Sequence, residues 1–433
     1  DSSTIFLKIQ KKILTEKIFI KFMTNKFKTT SKRTLLLAGL LLPVMLAGRR
    51  LPECVSTGDA GLLFPGDRSA QDLFYAKLDS LISTGRGNVN IWHIGGSHVQ
   101  AAYFPNRIMN DLDSIAPRGD RGFLFPRRLC KTNSDKSYRI SSTGEWEAPM
   151  MTLNSRLEKP RYGITGFGAR TSDAGASVSF NVCPDADSLW SFSTLRVLGY
   201  GSSDSARPYV ISGTDTLRHS YDSLTASYLF DLPRKADSVT VAFEIPSGET
   251  FTLTGLQPIS GRPGVNYYSS GVNGAKLTTW MDKCPDLERD LGIVNPDLAI
   301  LALGINDSAC MAKDFKPGRF KDNYRRLIEM IHRVNPDCAI IFITNNDSYR
   351  YVKRGMTYTE NAPAVRNAMM ELAGVYGAGV WDLYTLMGGA HSVQRWRDLG
   401  LVKPDRLHFT DEGYTLLGDL FFEALMDDRK AAR

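Results

Sequence analysis

A side chain that takes and returns protons near neutral pH is most often an imidazole, so the six histidines are sorted first. They are His93, His98, His219, His332, His391 and His408. His332 falls in an amphipathic helical pattern and is expected at the surface. His219 stands beside Arg218 with no carboxylate pattern around it, and His93 lies inside an apolar strand pattern and reads as a core residue. His98 follows Ser97 where a helix is expected to begin, and is expected to pack or to contact ligand. His391 sits in a glycine-rich loop and takes no assignment. His408 differs, because it closes Pro404-Asp405-Arg406-Leu407-His408. In a turn, a carboxylate three residues earlier can fold back onto the imidazole, fix its tautomer and stabilise the imidazolium formed in catalysis. The same spacing also serves a pair that merely caps the following helix.

Three other segments favour the chemical reading. Gly95-Gly96-Ser97 ends an expected strand, Gly271-Val272-Asn273-Gly274 forms a glycine-rich turn, and Leu303-Gly304-Ile305-Asn306-Asp307 ends a second expected strand. Each is common alone. Together, at the ends of parallel strands and followed by Asp-x-x-His, they resemble the blocks of the SGNH/GDSL hydrolase family. The first block matches Gly95–Ser97, the second Gly274, the third Gly304–Asp307 and the last Asp405–His408. The resemblance covers roughly 65–130 and 263–426, and it implies an ester hydrolase. Ser97 would be the nucleophile, His408 the base and Asp405 its orienting acid. An oxyanion hole would be formed by the Ser97 and Gly274 backbone N–H groups and the Asn306 amide. The family's usual aspartate before the serine is Gly96 here, a departure that bears on loop geometry rather than on the triad. No cofactor is called for, and no His/Cys/Asp/Glu spacing suggests a dedicated metal site.

The elements around these blocks point to two textures. Phe74, Leu78, Leu81 and Ile82 share one helical face between Ser69, a possible cap, and Gly85. Val89–Ile94, Leu298–Leu303, Ala339–Ile343 and Val380–Leu383 are apolar runs of buried-strand length. Helical faces separate them: Phe320, Tyr324, Leu327, Ile328 and Ile331, then Val365, Met369 and Leu372. A last helix from Thr410 carries Leu416, Leu417, Leu420, Phe421 and Leu425. Strands alternating with helices predict a three-layer α/β domain with a doubly wound parallel sheet, built from 60–134 and 263–428. Between 135 and 262 the pattern changes to strict alternation, as in Val178, Phe180 and Val182, or Val239, Val241, Phe243 and Ile245. That predicts an inserted antiparallel β sandwich or jelly roll.

The net charge of +7 does not imply nucleic-acid binding. Residues 1–50 hold 11 Lys/Arg against 2 Asp/Glu, a net of +9, so the rest of the chain carries −2. Lys26, Lys28, Lys32 and Arg33 precede a fourteen-residue apolar run, Leu35–Gly48, which fits an export signal better than a membrane span. The expectation is an exported, periplasmic or envelope protein with no transmembrane span after cleavage, its true start possibly at Met23. Six cysteines, at 54, 130, 183, 284, 310 and 338, are too sparse for a disulfide scaffold but leave room for one or two bridges.

An SGNH core interrupted by a carbohydrate-module-like sandwich resembles bacterial peptidoglycan O-acetylesterases, as does Arg121-Gly122-Phe123. This resemblance implies an O-acetylated carbohydrate as substrate. Trp190, Tyr200, Tyr209 and Tyr221 could stack on sugar rings, but residue by residue each reads better as a core aromatic of the sandwich. Acetyl esterases and acyltransferases of other polysaccharides would share the same blocks. A non-catalytic glycan-binding protein would not need Ser97, Asn306, Asp405 and His408 together.

Overall fold

Continuous apolar runs become parallel strands, and alternating ones become antiparallel strands. The computed structural model describes residues 51–155, 160–183, 190–353 and 355–433. The expected leader over 1–50, with Met23, lies outside the described residues. Among the described residues no helix is long and apolar enough to cross a membrane.

One six-stranded sheet contains β1 (Leu62–Leu63), β2 (Asn88–Gly95), β3 (Gly264–Gly271), β4 (Leu298–Ala302), β5 (Ala339–Ile343) and β6 (Gly379–Trp381), in the order β1-β6-β5-β4-β2-β3. Strands β2 to β6 are mutually parallel, and the two-residue β1 runs antiparallel on the edge beside β6. The sheet is therefore mixed rather than wholly parallel. Strand β5 is buried at every position, as expected for a strand covered on both faces. Edge strand β3 falls within the expected second part, 263–428, where the sequence reading named no strand before Leu298.

Helices cover both faces. One layer holds α1 (Ser69–Thr84), α3 (Tyr103–Ile115) and α7 (Asp411–Ala431), and the short α2 (Ser97–Gln100) leads from the end of β2 into α3. Polar contacts tie this layer together: Tyr75 Oη donates to Asp428 at 2.9 Å, and Arg107 pairs with Asp419. The other layer holds α4 (Leu277–Lys283), α5 (Pro317–Val334) and α6 (Ala362–Tyr376), with Lys321 on α5 bonded to Glu371 on α6 at 2.5 Å. The apolar faces read from the sequence are the buried ones, including Phe320, Tyr324, Leu327, Ile328 and Ile331 of α5. Ser69 is the first residue of α1 rather than its cap, with Arg68 preceding it, and Gly85 ends the helix at φ +67°.

Between β2 and β3 the chain makes two five-stranded sheets. One runs 169–171, 251–259, 192–201, 227–236 and 220–222; the other runs 139–143, 177–181, 238–244, 207–212 and 215–217. Every pairing in them is antiparallel. The alternation read from the sequence sets the register: Val239 lies opposite Phe180 and Val241 opposite Val178. The core does not stop at the edge of these sheets. Strand 251–259 exchanges backbone hydrogen bonds between Leu256 and Leu124 at 2.8 and 3.0 Å. One apolar cluster runs from Phe230, Phe243 and Phe251 through Leu256 to Trp92 and Phe342, and residues 53–433 form one compact unit. Cys54, Cys130, Cys284, Cys310 and Cys338 are free thiols, so none of these five takes part in the expected bridging.

This continuity has a measurable consequence. Phe251 is fully buried with its ring centroid 4.9 Å from that of Phe243. Phe251→Ala should cost about 3–5 kcal/mol, the usual loss for a buried phenylalanine. Urea unfolding followed by tryptophan fluorescence should show one transition moved to lower urea. An early transition of the antiparallel sheets that leaves the mixed sheet intact would show that the two parts fold separately.

Candidate active site

Three strand-end loops meet at one level of the mixed sheet. Gly95 of β2 lies in register with Gly271 of β3 on one side and Ala302 of β4 on the other. The chain can turn directly from β2 into α2 because Gly95 has no side chain: a Cβ there would lie 2.4 Å from Val99 Cγ2 and 3.0 Å from the Ala302 carbonyl oxygen. Ser97 is the first residue of α2, so its N–H is one of the donors a helix start leaves unpaired.

His408 arrives from the loop before α7, 311 residues along the chain, and its Nε2 lies 2.8 Å from Ser97 Oγ. Its Nδ1 lies 2.7 Å from Asp405 Oδ2. The other carboxylate oxygen, Oδ1, accepts the backbone N–H groups of Leu407 and His408, both at 3.0 Å. Burial alone would raise the Asp405 pKa. The hydrogen bonds from the His408 ring and from these two N–H groups outweigh it and hold the carboxyl at about 2, below its ordinary 3.8. An ionised Asp405 can only accept, so Nδ1 carries the proton and Nε2 is left to accept from the Ser97 hydroxyl. The loop is tied down from outside as well. Asn346 donates to the Leu407 carbonyl at 3.1 Å, Tyr349 N–H donates to the Arg406 carbonyl at 2.9 Å, and the Arg406 guanidinium lies 4.8 Å from the Tyr349 ring centroid.

Gly274 and Asn306 complete the group. Asn306 Nδ2 donates one hydrogen to the Ala275 carbonyl at 3.0 Å, which leaves the other for a ligand. Gly274 has φ +76°, a left-handed conformation that glycine adopts without penalty. Gly96 has a steric reason to be glycine: a Cβ there would lie 2.9 Å from Asn306 Nδ2. Asp307 takes the Leu277 N–H on both carboxylate oxygens, at 3.1 and 3.2 Å, tying the β4 loop to α4, and burial pushes its pKa up to about 6. Ser97, Gly274, Asn306 and His408 all line one cleft of about 720 Å³, together with Tyr103, Asn106, Asn133, Asp135, Lys136 and Lys403. A hydroxyl on a neutral imidazole, with amide donors beside it, can attack a carbonyl and stabilise the oxyanion that forms.

The GDSL-like lipase/acylhydrolase family model matches residues 222–416, a span that contains Gly274, Asn306, Asp405 and His408 but not Ser97. Among solved structures the chain is similar to a peptidoglycan O-acetylesterase, with 20% identity and a TM-score of 0.70 over 86% of this chain and 99% of that one. The family match over residues 222–416 supports a carboxylic ester hydrolase of the SGNH/GDSL type. Coverage of that extent takes in the antiparallel sheets as well as the mixed sheet, so the likeness in fold extends to both. Other similar structures are a family two carbohydrate esterase from Cellvibrio japonicus (11% identity, 68% of this chain and 98% of that one, TM-score 0.28) and an acetyl xylan esterase (18%, 37% and 81%, TM-score 0.30). No curated protein sequence matches the chain.

The remaining histidines of the hydrolase lie apart from the cleft. His93 is fully buried with Nδ1 2.8 Å from Tyr267 Oη, and burial pushes its pKa down to about 3. His332, expected at the surface, is half-buried with Nε2 3.3 Å from the Cys338 carbonyl oxygen, because α5 packs that side against the start of β5. His391 has φ +65° and its ring centroid lies 4.2 Å from that of Tyr358. His98 packs behind the site: Nδ1 lies 2.8 Å from Tyr414 Oη and the ring centroid 5.7 Å from that of His408. Burial, and then the neighbouring His408, push its pKa down to about 3, so it stays neutral. Arg121 and Phe123 are buried, and Gly122 turns at φ +86° against the Tyr267 carbonyl, so this triplet builds the wall between the sheets. Tyr221 is 56% exposed and Trp190, Tyr200 and Tyr209 are half-buried, so none of these four aromatics is a buried core residue. The sequence reading missed Gln100 and Asn346 and gave Asp307 no role of its own, because the partners of all three lie far away along the chain.

The carboxylate network fixes a pH dependence. A folded-state pKa below the unfolded one means that stabilisation is complete above about pH 3.8 and is lost as the pH falls through about 2. Asp405→Asn should therefore be less stable than the wild type at pH 5, with the difference in urea midpoint shrinking below about pH 4. Its kcat near neutral pH should fall by about 10³–10⁴, the loss typical of a triad carboxylate. Wild-type turnover in folded Asp405→Asn would reduce Asp405 to a helix-capping role.

Proposed function

We propose that this hydrolase removes O-acetyl groups from a carbohydrate polymer outside the cytoplasm, with peptidoglycan as the first candidate substrate. The observation that carries the reading is the chain of contacts Asp405–His408–Ser97 at 2.7 and 2.8 Å, opening on a cleft with Asn306 and Gly274. Ser97 Oγ attacks the acetyl carbonyl while His408 Nε2 takes its proton. The negative oxygen is held by the Ser97 and Gly274 N–H groups and the Asn306 amide. The tetrahedral intermediate collapses, His408 returns the proton to the sugar oxygen, and the deacetylated alcohol leaves. Water then attacks acetyl-Ser97 with His408 again as base, releasing acetate and restoring the hydroxyl.

Three features support carbohydrate over lipid. Polar side chains at the cleft include Asn106, Asn133, Lys136 and Lys403, which sugar hydroxyls could meet. The fold resembles that of a peptidoglycan O-acetylesterase over both kinds of sheet. The antiparallel sheets also present Tyr200 and Tyr221 around a second depression of about 250 Å³, beside Arg161 and Asp204. The basic stretch and apolar run at 26–48 are the reason to place the substrate beyond the membrane.

The decisive experiment measures acetate release from O-acetylated peptidoglycan and from acetylated xylan, with p-nitrophenyl acetate as the small-ester reference. Wild type should label at Ser97 with a fluorophosphonate. Ser97→Ala should lose turnover and labelling while keeping its fold, and Asn306→Ala should lose about 10²–10³ in kcat. Normal turnover by Ser97→Ala would mean that another nucleophile operates, and release from neither polymer would remove the carbohydrate reading. The sheet aromatics have a separate signature. Tyr200→Ala combined with Tyr221→Ala should raise KM on the polymer and spare p-nitrophenyl acetate; equal losses on both would count against glycan docking.

A further inference from the structure

Gln100 is a polar side chain with no solvent exposure, three residues after Ser97 at the end of α2. A buried primary amide is costly unless its hydrogen-bonding groups are met, and here they are. Oε1 accepts the Asn273 N–H at 2.6 Å, and Nε2 donates to Thr132 Oγ1 at 2.8 Å and to Asn133 Oδ1 at 2.7 Å. The Asn273 side chain closes the ring by donating to the same two atoms, at 3.1 and 3.0 Å. Arg127 donates to the Gln100 carbonyl at 2.8 Å. Three segments remote in sequence are thereby joined: the helix that starts at Ser97, the 132–133 wall of the cleft, and the turn that carries Gly274.

That turn is the one whose orientation matters. Ala275 N–H donates to the Val272 carbonyl at 3.0 Å and Gly274 has φ +76°, the pattern of a type II turn with Asn273 second and Gly274 third. Type I and type II turns differ by a flip of the central peptide, which here carries the Gly274 N–H. The flanking peptides must be anchored for that N–H to keep its direction. Val272 N–H is held by the Gly95 carbonyl at 3.3 Å, and Asn273 N–H by Gln100.

We propose that Gln100 is a positioning residue of the oxyanion hole: its tether on Asn273 keeps the Gly274 N–H aimed at the oxygen that becomes charged when Ser97 attacks. This rests on the reading of Ser97 as nucleophile. Donors that act on developing charge lower the barrier rather than bind the ground state, so losing the tether lowers kcat and leaves KM nearly unchanged.

The second position of a type II turn accepts proline, so Asn273→Pro deletes the N–H that Gln100 holds while the backbone stays compatible. Asn273→Ala removes the same side chain but keeps that N–H, and so provides the reference. Asn273→Pro should turn over p-nitrophenyl acetate about tenfold or more slowly than Asn273→Ala, at similar KM. Its fluorophosphonate labelling of Ser97 should slow in parallel, with both variants assayed below their thermal midpoints; the midpoint of Asn273→Pro should be the lower, because the buried Gln100 Oε1 loses its donor. Gln100→Met, which loses the acceptor, should fall with Asn273→Pro, and Gln100→Glu, which keeps an acceptor oxygen, should recover part of the rate. Should Gln100→Met fail to fold, the Asn273 pair decides. Equal rates in Asn273→Pro and Asn273→Ala, with the wild type labelled normally, overturn the role of Gln100 alone. Absence of Ser97 labelling in the wild type overturns this role together with the proposed nucleophile.

Discussion

The backbone packs closely at the ends of β2, β3 and β4, and the candidate site depends on it. A Cβ on Gly271 would lie 2.3 Å from Gln100 N, and one on Gly95 would lie 2.4 Å from Val99. Those two absent side chains let the start of α2 sit against both neighbouring strands. Ser97, Gly274 and Asn306 can then address the same small volume, each from a different strand. Parallel strands make this possible because all their carboxyl ends open on one edge of the sheet. Gly96 extends the rule to Asn306, whose amide occupies space that any side chain at position 96 would contest.

The proposed base comes from a different kind of element. His408 stands on an irregular loop, and a loop holds a side chain in place only if its backbone groups are engaged. Asp405 takes two N–H groups of its own loop and the imidazole, while Asn346 and Tyr349 hold the loop from the strand β5 side. A net hydrogen bond contributes roughly 0.5–1.5 kcal/mol, so several together can keep the imidazole aligned before substrate arrives. His98, neutral and bonded to Tyr414, fills the space behind the ring without adding a charge beside it.

The candidate site residues could be named from the sequence because the patterns that carry them are local. Asp405 and His408 are three apart, and Ser97 and Asn306 each follow a buried apolar run. The helical faces of α5, α6 and α7 and the alternation of 177–181 and 238–244 were legible for a similar reason: burial of one face imposes a period on the chain. Strand β3 was harder to read. Its segment, Gly264–Gly271, mixes Asn, Tyr and Ser with a single Val, and although it is mostly buried its polar side chains are hydrogen-bonded to neighbouring strands, so it carries no apolar run. The surface placement expected of His332 and the possible core role of the four sheet aromatics depended on which side of an element meets a neighbour, and periodicity alone does not identify that neighbour.

By itself the sequence placed the candidate nucleophile block and the candidate acid–base pair, and it showed the alternation of two kinds of sheet. It could do so because catalytic groups sit within a few residues of the turns that aim them, and because apolar spacing records burial. Only the tertiary structure decided that the antiparallel sheets share one core with the mixed sheet, that Gly96 makes room for Asn306, and that Gln100 joins helix, cleft wall and the turn that carries Gly274. Those contacts link positions as far apart as Gly96 and Asn306 or Gln100 and Asn273. Pairings over such separations leave no pattern along a single chain, since either partner alone is an ordinary glycine, asparagine or glutamine.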